Sequence, residues 1–547
     1  MSEVYAISDR YVEELAALDP FTATGAGIAG HEHEVTDLSP AGIETRVAHT
    51  RATLAALDAA PQDTDADRIA ASVMRDHLQR ELDFHDAQED LRALRIIGSP
   101  VQEVRQVFDL MSFETDEDWD IARQRMEKVP EALDGLEATL RLGMERNVVS
   151  ARRQALACAQ QAEAWGGDQP FFKNLVAARG DDPGLAAAAE TATVAYAKLG
   201  AFLRDEYAPV ADPKDPVGRD RYKLFAAAFN GADLDLDETY AWGVDELHRI
   251  EREMDRVANL IQPGASVDEA IALLKSDPAR SIEGEDAFRA WNQDLIDRTI
   301  SEMDGTHFDI AEPLHRCEAM IAPPGGAAAM YYTPPSEDFS RPGRTWYPTQ
   351  GTTRFPLWQE VSTCYHEAVP GHHLQVAQVK YLSDKLSRFQ RSFSFVSGHG
   401  EGWALYAERL MGELGYLDNP DYEMGMLGAQ AMRAVRVVVD IGMHLELKIP
   451  AHERYHTGET WNAELALPFV IERSRFPEVF MRSEVDRYLG WPGQAISYKV
   501  GERVWLECRA EAQARKGSAF NLKEFHTYAL DLGGMGLDQL REELARF

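Results

Sequence analysis

Apolar residues recur at helical spacing through almost the whole chain, and this pattern constrains the fold more than any other feature of the sequence. Repeats of three and four residues are typical of amphipathic helices that bury one face. Before residue 304 the pattern predicts helices at 40–60, 66–95, 118–147, 150–166, 184–204, 237–262, 267–275 and 285–303. Short breakers such as Pro61 and Gly166-Gly167 separate them. We therefore expect a mostly α-helical protein.

The pattern changes near residue 305, where short extended pieces replace the helical repeats. These pieces lie at 307–310, 317–322, 329–333 and 344–347, with Pro323–Gly326 and Pro334-Pro335 between them. They predict a small β meander. Helical spacing resumes near Pro356 and continues to residue 547. We expect a helical scaffold lobe at 1–304 and a catalytic lobe at 305–547, forming one continuous two-lobed body with a deep cleft lined by the β element.

Composition limits the partners and the compartment. The 547 residues carry 56 Lys+Arg against 91 Asp+Glu, a net charge of −35, and such an acidic surface repels nucleic acid. We find no apolar run long enough to cross a membrane and no signal-peptide pattern at the N-terminus. Four cysteines (158, 317, 364 and 508) show no CxxC spacing. We expect a cytoplasmic protein without nucleic-acid or membrane partners; the sequence does not indicate its oligomeric state.

The segment Cys364–Leu374 carries the chemistry. Zinc peptidases often use HExxH on one helix, where histidines at i and i+4 share a face. Here His372 and His373 follow His366 at i+6 and i+7. On a straight helix the first lies roughly 120° away from the His366 face and the second about 10.5 Å along the axis. Pro370-Gly371 breaks the helix, and looping out two residues would make His372 the second metal ligand, with His373 as the alternative.

The remaining site residues come from downstream segments. Catalytic zinc usually takes three protein ligands, and Glu401 in Ser397–Glu408 is the predicted third, with His399 a weaker rival. Glu408, at i+7, is placed to hydrogen-bond a ligating histidine. Glu367 is the predicted general base. Cys364 is interpreted as a buried thiol rather than a ligand.

Two polar stretches near the C-terminus contain further candidate catalytic residues. Each of these residues also has a purely structural interpretation. Arg433, Arg436, Asp440 and His444 repeat along an otherwise apolar helix, and they either satisfy one another or face a cleft, where His444 would be catalytic. In Glu484–Lys499, the Tyr498 hydroxyl is a candidate to stabilise an oxyanion. Arg487 is a candidate to hold a substrate carboxylate bidentately. Alternatively, Tyr498 is a packed tyrosine and Arg487 is a surface arginine, and neither takes part in catalysis.

Three long motifs, HEAVPGHHLQ (366–375), EGWALYAE (401–408) and RYLGWPGQAISYKVG (487–501), resemble the bacterial family known as domain of unknown function 885. YYTPP (331–335) fits the same family. The family in turn resembles gluzincin zinc peptidases such as angiotensin-converting enzyme, thimet oligopeptidase and the thermostable carboxypeptidases, and dipeptidyl peptidase III offers a lengthened version of the motif. The resemblance implies zinc held by two histidines and a downstream glutamate, an adjacent glutamate base and a later tyrosine at the oxyanion. Val369 and Pro370 are an insertion relative to the gluzincin motif.

The sequence therefore predicts a zinc-dependent metallohydrolase, a carboxypeptidase or oligopeptidase that cleaves amide bonds of short peptides through metal-activated water. The predicted metal ligands are His366, His372 and Glu401, and the predicted catalytic residues are Glu367, Tyr498, His444 and Arg487. One alternative is a zinc hydrolase of non-peptide amides or esters. Another is a non-catalytic helical protein that binds a metal, and a divalent ion other than zinc also suits histidine and glutamate ligands.

Overall fold

Helices make up most of the described chain, residues 2–322 and 330–547, in the computed structural model of this protein. In chain order they are α1 (Glu3–Leu18), α2 (Pro20–Ala26), α3 (Pro40–Ala59), α4 (Asp65–Asp86), α5 (Pro100–Gln106), α6 (Asp116–Glu145), α7 (Arg152–Gly166), α8 (Phe171–Ala177), α9 (Pro183–Phe202), α10 (Ala208–Val210), α11 (Arg219–Asn230), α12 (Leu236–Ile261), α13 (Val267–Ser276), α14 (Glu285–Met303), α15 (Glu360–Glu367), α16 (His372–Tyr381), α17 (Arg388–Ser392), α18 (Ser397–Glu413), α19 (Pro420–His444), α20 (Ala463–Ser474), α21 (Glu478–Gly490), α22 (Ser497–Lys516), α23 (Leu522–Asp531) and α24 (Leu537–Leu544). The prediction of a mostly α fold with a small β element is confirmed.

The predicted helices before residue 304 agree with the structure to within a few residues, with one exception. The helix expected at 66–95 is α4, which ends at Asp86. The chain leaves the helix because Gln88 adopts a left-handed backbone with φ of 58° and starts a separate 3-10 turn at Glu89–Arg92. Helix starts follow their caps, as at α6, where Thr115 and Asp118 form a capping box.

The chain divides into two compact units. Unit 1 comprises Met1–Gly218, Ser387–Phe393 and Ser483–Trp491, and unit 2 comprises Arg219–Leu386, Ser394–Arg482 and Pro492–Phe547. The first division therefore falls at residue 218, whereas the change in sequence pattern predicted a boundary after residue 304. The predicted two-lobed body with a cleft stays a prediction.

The core of unit 1 lies where α6, α7 and α9 pack against one another. Apolar residues of these helices fill it, including Val129, Leu136, Ala159 and Leu199. Tyr196 is fully buried in this core and its hydroxyl donates to the carbonyl of Val101 at 2.9 Å, so its one polar group is satisfied.

Unit 2 contains two small sheets. Strand β1 (Ser281–Glu283) pairs antiparallel with β5 (Arg354–Pro356). Strands β2 (Cys317–Ile321), β3 (Tyr331–Thr333) and β4 (Gly343–Tyr347) form the second sheet in the order β2-β4-β3, with β2 parallel and β3 antiparallel to β4. The predicted extended piece at 307–310 is not a strand, since it makes only an isolated bridge between Asp304 and Phe308. The predicted breaker at 323–326 lies outside the described residues.

Helices of unit 2 bring several of the sequence motifs together. Helix α15 packs on α18 and α19, while α22 packs along α18 and α12 packs along α19. The α18–α22 approach is close, because a Cβ on Gly402 would lie 2.4 Å from Cα of Gly501. Glycines in two distant motifs therefore let these helices touch. Within the described residues, no helix is long and apolar enough to cross a membrane.

Candidate metal centre

The insertion in the histidine motif separates two helices. Helix α15 ends at Glu367 and α16 begins at His372, so Ala368–Gly371 forms a connecting turn. The indole N–H of Trp403 donates to the carbonyl of Pro370 at 2.8 Å and holds the turn in place. Gly371 lies so close to α15 that a Cβ there would stand 1.9 Å from the carbonyl oxygen of His366. The local sequence thus allows a new helix to start with His372 beside His366.

Three predicted ligands converge in unit 2. One nitrogen each of His366 and His372 and one oxygen of Glu401 lie within 4.8 Å of one another. The Oε2 atom of Glu401 is 3.4 Å from Nε2 of His366 and 3.5 Å from Nε2 of His372. The two imidazole rings are nearly perpendicular, with an interplanar angle of 87°. The structure brings together the residues that the motif spacing predicted as ligands.

A buried polar atom in this cluster lacks a well-formed hydrogen bond. Oε2 of Glu401 is buried without a hydrogen-bond partner in the described chain, although two histidines surround it. Burial disfavours its ionisation, but the neighbouring imidazoles of His366 and His372 hold the pKa of Glu401 well below its usual range. A buried carboxylate with an open lone pair between two imidazoles fits a divalent cation, because burial otherwise penalises an unpaired charge.

Glu408 fixes the orientation of His366. Its Oε1 lies 2.8 Å from Nδ1 of His366, and its other oxygen accepts a hydrogen bond from the hydroxyl of Ser362. In the neutral imidazole, Nδ1–H donates to Glu408 and the lone pair of Nε2 faces Glu401 and His372. Burial lowers the pKa of His366, but Glu401 and Glu408 outweigh burial and raise it to about 9. The surroundings of His366 therefore favour positive charge.

His373 is engaged elsewhere. Its Nε2 lies 2.9 Å from the carbonyl oxygen of Leu314, and its Nδ1 lies 3.0 Å from the hydroxyl of Tyr332. Nε2–H donates to Leu314, and Nδ1 accepts from Tyr332. Burial lowers the pKa of His373 to about 4, so the ring is neutral with both nitrogens occupied. Of the two histidines that the sequence left open, the structure places His372 in the cluster.

Glu367, the predicted base, is the last residue of α15 and is 8% exposed. Its side chain has no hydrogen-bond or ion-pair partner among the described residues. This distinguishes it from Glu408, whose two oxygens are both bonded. A carboxylate next to the ligands but not tied to the protein is available to exchange a proton.

The two weaker ligand candidates lie in packed surroundings. His399 is buried, with Nδ1 3.2 Å from the side-chain nitrogen of Gln375 and its ring against Trp505, and burial lowers its pKa to about 4. Cys364 is fully buried, and burial raises the pKa of its thiol to about 12. A thiol with a raised pKa is a poor metal ligand at neutral pH.

The four polar residues predicted along α19 form two groups: Asp440 and His444, and Arg433 and Arg436. Toward its C-terminal end, Asp440 accepts hydrogen bonds from the Tyr222 hydroxyl at 2.7 Å and from the Gly493 amide at 2.8 Å. His444 is fully buried, 3.8 Å from Asp440 and packed on the ring of Tyr222. These contacts tie α19 to α11 and to the turn before α22. The catalytic role of His444 stays a prediction, and its enclosure is typical of a core histidine.

Toward the middle of α19, two arginines flank the predicted oxyanion tyrosine. The guanidinium carbon of Arg436 lies 4.7 Å from the centre of the Tyr498 ring, and that of Arg433 lies 5.5 Å from it. Arginines stacked on a ring fix its position by cation–π attraction. The structure thus places Tyr498 at the start of α22 against the helix that packs on α15.

A model of one protein family matches residues 20–544, and its description is "Bacterial protein of unknown function (DUF885)". This chain belongs to that family. Two solved structures share the fold. A candidate lipoprotein from Colwellia psychrerythraea is 21% identical with a TM-score of 0.83, covering 100% of this chain and 99% of its own. A candidate lipoprotein of unknown function from Shewanella oneidensis is 17% identical with a TM-score of 0.76, covering 100% of both chains. The comparison with curated proteins gave no match.

Another family motif, RYLGWPGQ, belongs partly to unit 1. There Arg487 donates from Nε and one Nη to both oxygens of Glu484, at 2.9 and 2.8 Å. The hydroxyl of Tyr488 donates to the same carboxylate at 2.9 Å. The guanidinium fork predicted to hold a substrate carboxylate is therefore already bonded to a carboxylate of its own helix.

A buried ionic network beside Tyr498 was not found by the sequence analysis. The ammonium of Lys499 donates to Glu246 at 2.8 Å, to Gln430 at 2.7 Å and to Glu502. Arg409 also donates to Glu502, at 2.7 Å. Burial opposes ionisation of Glu246, but Arg249 and Lys499 outweigh it and lower its pKa to about 2. The network joins α22 to α12, α18 and α19. Its sequence signal was weak: a lysine and a glutamate three residues apart in α22.

Proposed function

We propose that this protein is a zinc-dependent metallohydrolase that cleaves amide bonds of short peptides. The observation that carries the proposal is the cluster of His366, His372 and Glu401, with an open buried oxygen on Glu401. Two histidines and a glutamate are a common protein ligand set of catalytic zinc, which leaves a further position for water or substrate. Glu408 supports the assignment, because ligating histidines usually donate their second N–H to a carboxylate.

Zinc in such a site lowers the pKa of a water molecule and polarises the substrate carbonyl. Side chains of the protein would transfer the proton of the attacking water and stabilise the negative charge that develops on the substrate. Glu367 would accept the proton of the attacking water and deliver it to the leaving amine. The hydroxyl of Tyr498 would donate a hydrogen bond to the developing oxyanion, with its ring held by Arg436.

A peptide substrate is supported by the small sheet. Among the described strands, β3 pairs only with β4, so its outer edge presents backbone groups that an extended peptide can pair with. Tyr332 of β3 is hydrogen-bonded to His373, the neighbour of His372 in sequence. This contact ties the edge strand to the helix that begins with the proposed ligand.

Metal content and turnover of paired variants test the proposal. Elemental analysis of purified wild type should give about one zinc per chain. His372→Ala should lose the metal, while His373→Ala should keep it. Glu367→Gln should bind zinc as wild type does but should not cleave a peptide library.

Other outcomes separate the alternatives. Wild-type protein that remains free of metal after zinc is added would refute the hydrolase. Zinc binding with cleavage of small amides or esters, but not peptides, would indicate the non-peptide hydrolase. Zinc binding with no turnover of any of these substrates would indicate the non-catalytic metal-binding protein. We also propose a cytoplasmic location. Two similar structures are described as candidate lipoproteins, so cell fractionation is the direct test of this proposal.

A further inference from the structure

We propose that Arg433 binds the free carboxylate of the substrate, so that the protein acts on peptides and acylated amino acids with an unblocked C-terminus. The inference rests on the proposed function and adds the class of substrate. It assigns to Arg433 the role that was predicted for Arg487 from the sequence.

The positive charge of Arg433 has no carboxylate partner in the part of the chain that the structure describes. Among the described residues, the one hydrogen bond of its side chain goes from one Nη to the carbonyl oxygen of Ala429 at 3.3 Å, and its Nε is buried without an acceptor there. Within the described chain, no carboxylate pairs with it. By contrast, Arg487 has both oxygens of Glu484, and Arg409 has Glu502 at 2.7 Å. A half-buried guanidinium with open donors is a site for an anion from outside.

The position of Arg433 connects it with the proposed catalytic groups. It lies on α19, which packs against both α15 and α18, the helices that carry His366 and Glu401. On its other side the guanidinium lies 5.5 Å from the centre of the Tyr498 ring. A carboxylate on Arg433 would therefore place the adjoining part of the substrate near both the metal cluster and Tyr498.

The net charge of the chain favours a local cation at any site that binds an anion. With a net charge of −35, the protein repels an anionic substrate at long range. A carboxylate is recognised only where a positive group offsets this repulsion, and the planar fork of arginine matches the two carboxylate oxygens. Arg433 supplies such a fork beside the proposed site, and the acidic surface gives selectivity against anions that this fork does not hold.

Two matched substrates test the assignment. N-acyl dipeptides with a free carboxylate and with a C-terminal amide differ only at the group that Arg433 would bind. Wild type should show a kcat/KM about 10- to 100-fold higher for the free carboxylate, the range of a charge-assisted hydrogen bond. In Arg433→Gln this ratio should approach one, and Arg433→Lys should fall between because lysine keeps the charge but lacks the fork. Arg252→Gln, an exposed arginine of α12, should keep the wild-type ratio.

A binding measurement separates this inference from the hydrolase proposal. Calorimetric titration of metal-free protein with N-acetyl-L-leucine and with its amide needs no turnover. The acid should bind more tightly than the amide to wild type and equally weakly to Arg433→Gln, with the folded state of each variant verified by thermal unfolding. If no peptide is cleaved but the acid still binds through Arg433, the peptidase proposal fails and the anion site stands. If wild type cleaves or binds both members of each pair equally, or binds inorganic phosphate as tightly as the acid, the Arg433 assignment is wrong.

Discussion

Replacing Gly371 by alanine tests how the inserted segment sets the distance between the proposed ligands. The new methyl group would stand 1.9 Å from the carbonyl oxygen of His366 and 2.4 Å from that of Tyr365. Both atoms belong to the backbone of α15, so no side-chain rotation relieves the contact. The backbone at His366 must therefore move by about 1.1 Å before the contact reaches even 3.0 Å, below which real Cβ atoms are essentially never found.

The size of this movement determines the expected result. Overpacking in a closed interior costs about 1–3 kcal/mol of unfolding free energy, and backbone contacts fall at the upper end. Metal and catalytic groups must be held to within about 0.5 Å. A displacement of His366 by twice that distance should weaken zinc binding as well as stability. Gly371→Ala should thus lower both the urea midpoint and the metal content.

Gly428 provides the matched control. It lies inside α19, where an added Cβ would meet only a Trp358 ring carbon at 3.8 Å, an ordinary contact. Gly428→Ala should raise the unfolding free energy by about 0.5–1 kcal/mol, because alanine favours a helix interior. Urea denaturation and elemental analysis of both variants provide the comparison. A Gly371→Ala protein as stable and as rich in zinc as Gly428→Ala would refute the packing argument.

Glu408→Gln should weaken zinc binding about 10- to 100-fold in a chelator competition, because glutamine is a weaker acceptor for Nδ1–H of His366. Glu413→Gln on the same helix is the control. Equal zinc affinities in the two variants would contradict the role of Glu408. Burial, aided by the charge of Arg509, lowers the pKa of His526 to about 3. The unfolded chain therefore takes up this proton first, and stability should fall below pH 6.5 by about 1.4 kcal/mol per pH unit until the folded pKa is reached. Urea titrations at pH 7 and 5 should show a smaller loss for His526→Gln than for wild type, and an equal loss would refute the assignment.

Local pattern was sufficient for the eight helices predicted before residue 304 and for the proposed ligands, whereas shorter helices such as α2, α5 and α8 were not predicted. Long amphipathic repeats made helices such as α12 and α14 predictable to within about two residues. The ligand set followed from the spacing of His366, His372 and Glu401 together with the Pro-Gly break. Strands β1 and β5 were missed, because three residues are too few for an alternating pattern to be recognised.

The contacts that assign roles to the other residues come from far along the chain. His373 is bonded to Leu314 and Tyr332, which lie 59 and 41 positions earlier. Lys499 finds Glu246 across 253 positions. No local spacing encodes such pairs, since they form only when the helices and strands pack. For the same reason, two arginines look alike in sequence: Arg433, which has no carboxylate partner among the described residues, and Arg487, which is bonded to Glu484.

The composition of unit 1 has a consequence for the order in which the protein folds during synthesis. Besides residues up to Gly218, this unit includes Ser483–Trp491, and the Trp491 ring packs where a Cβ on Gly98 would stand. Ribosomes add about 5–20 residues per second, so Trp491 is made roughly 15–55 s after Gly218. During that interval the surface at Gly98 is not yet covered by the Trp491 ring. We therefore expect chaperones that bind nascent chains to bind this uncovered surface in that interval.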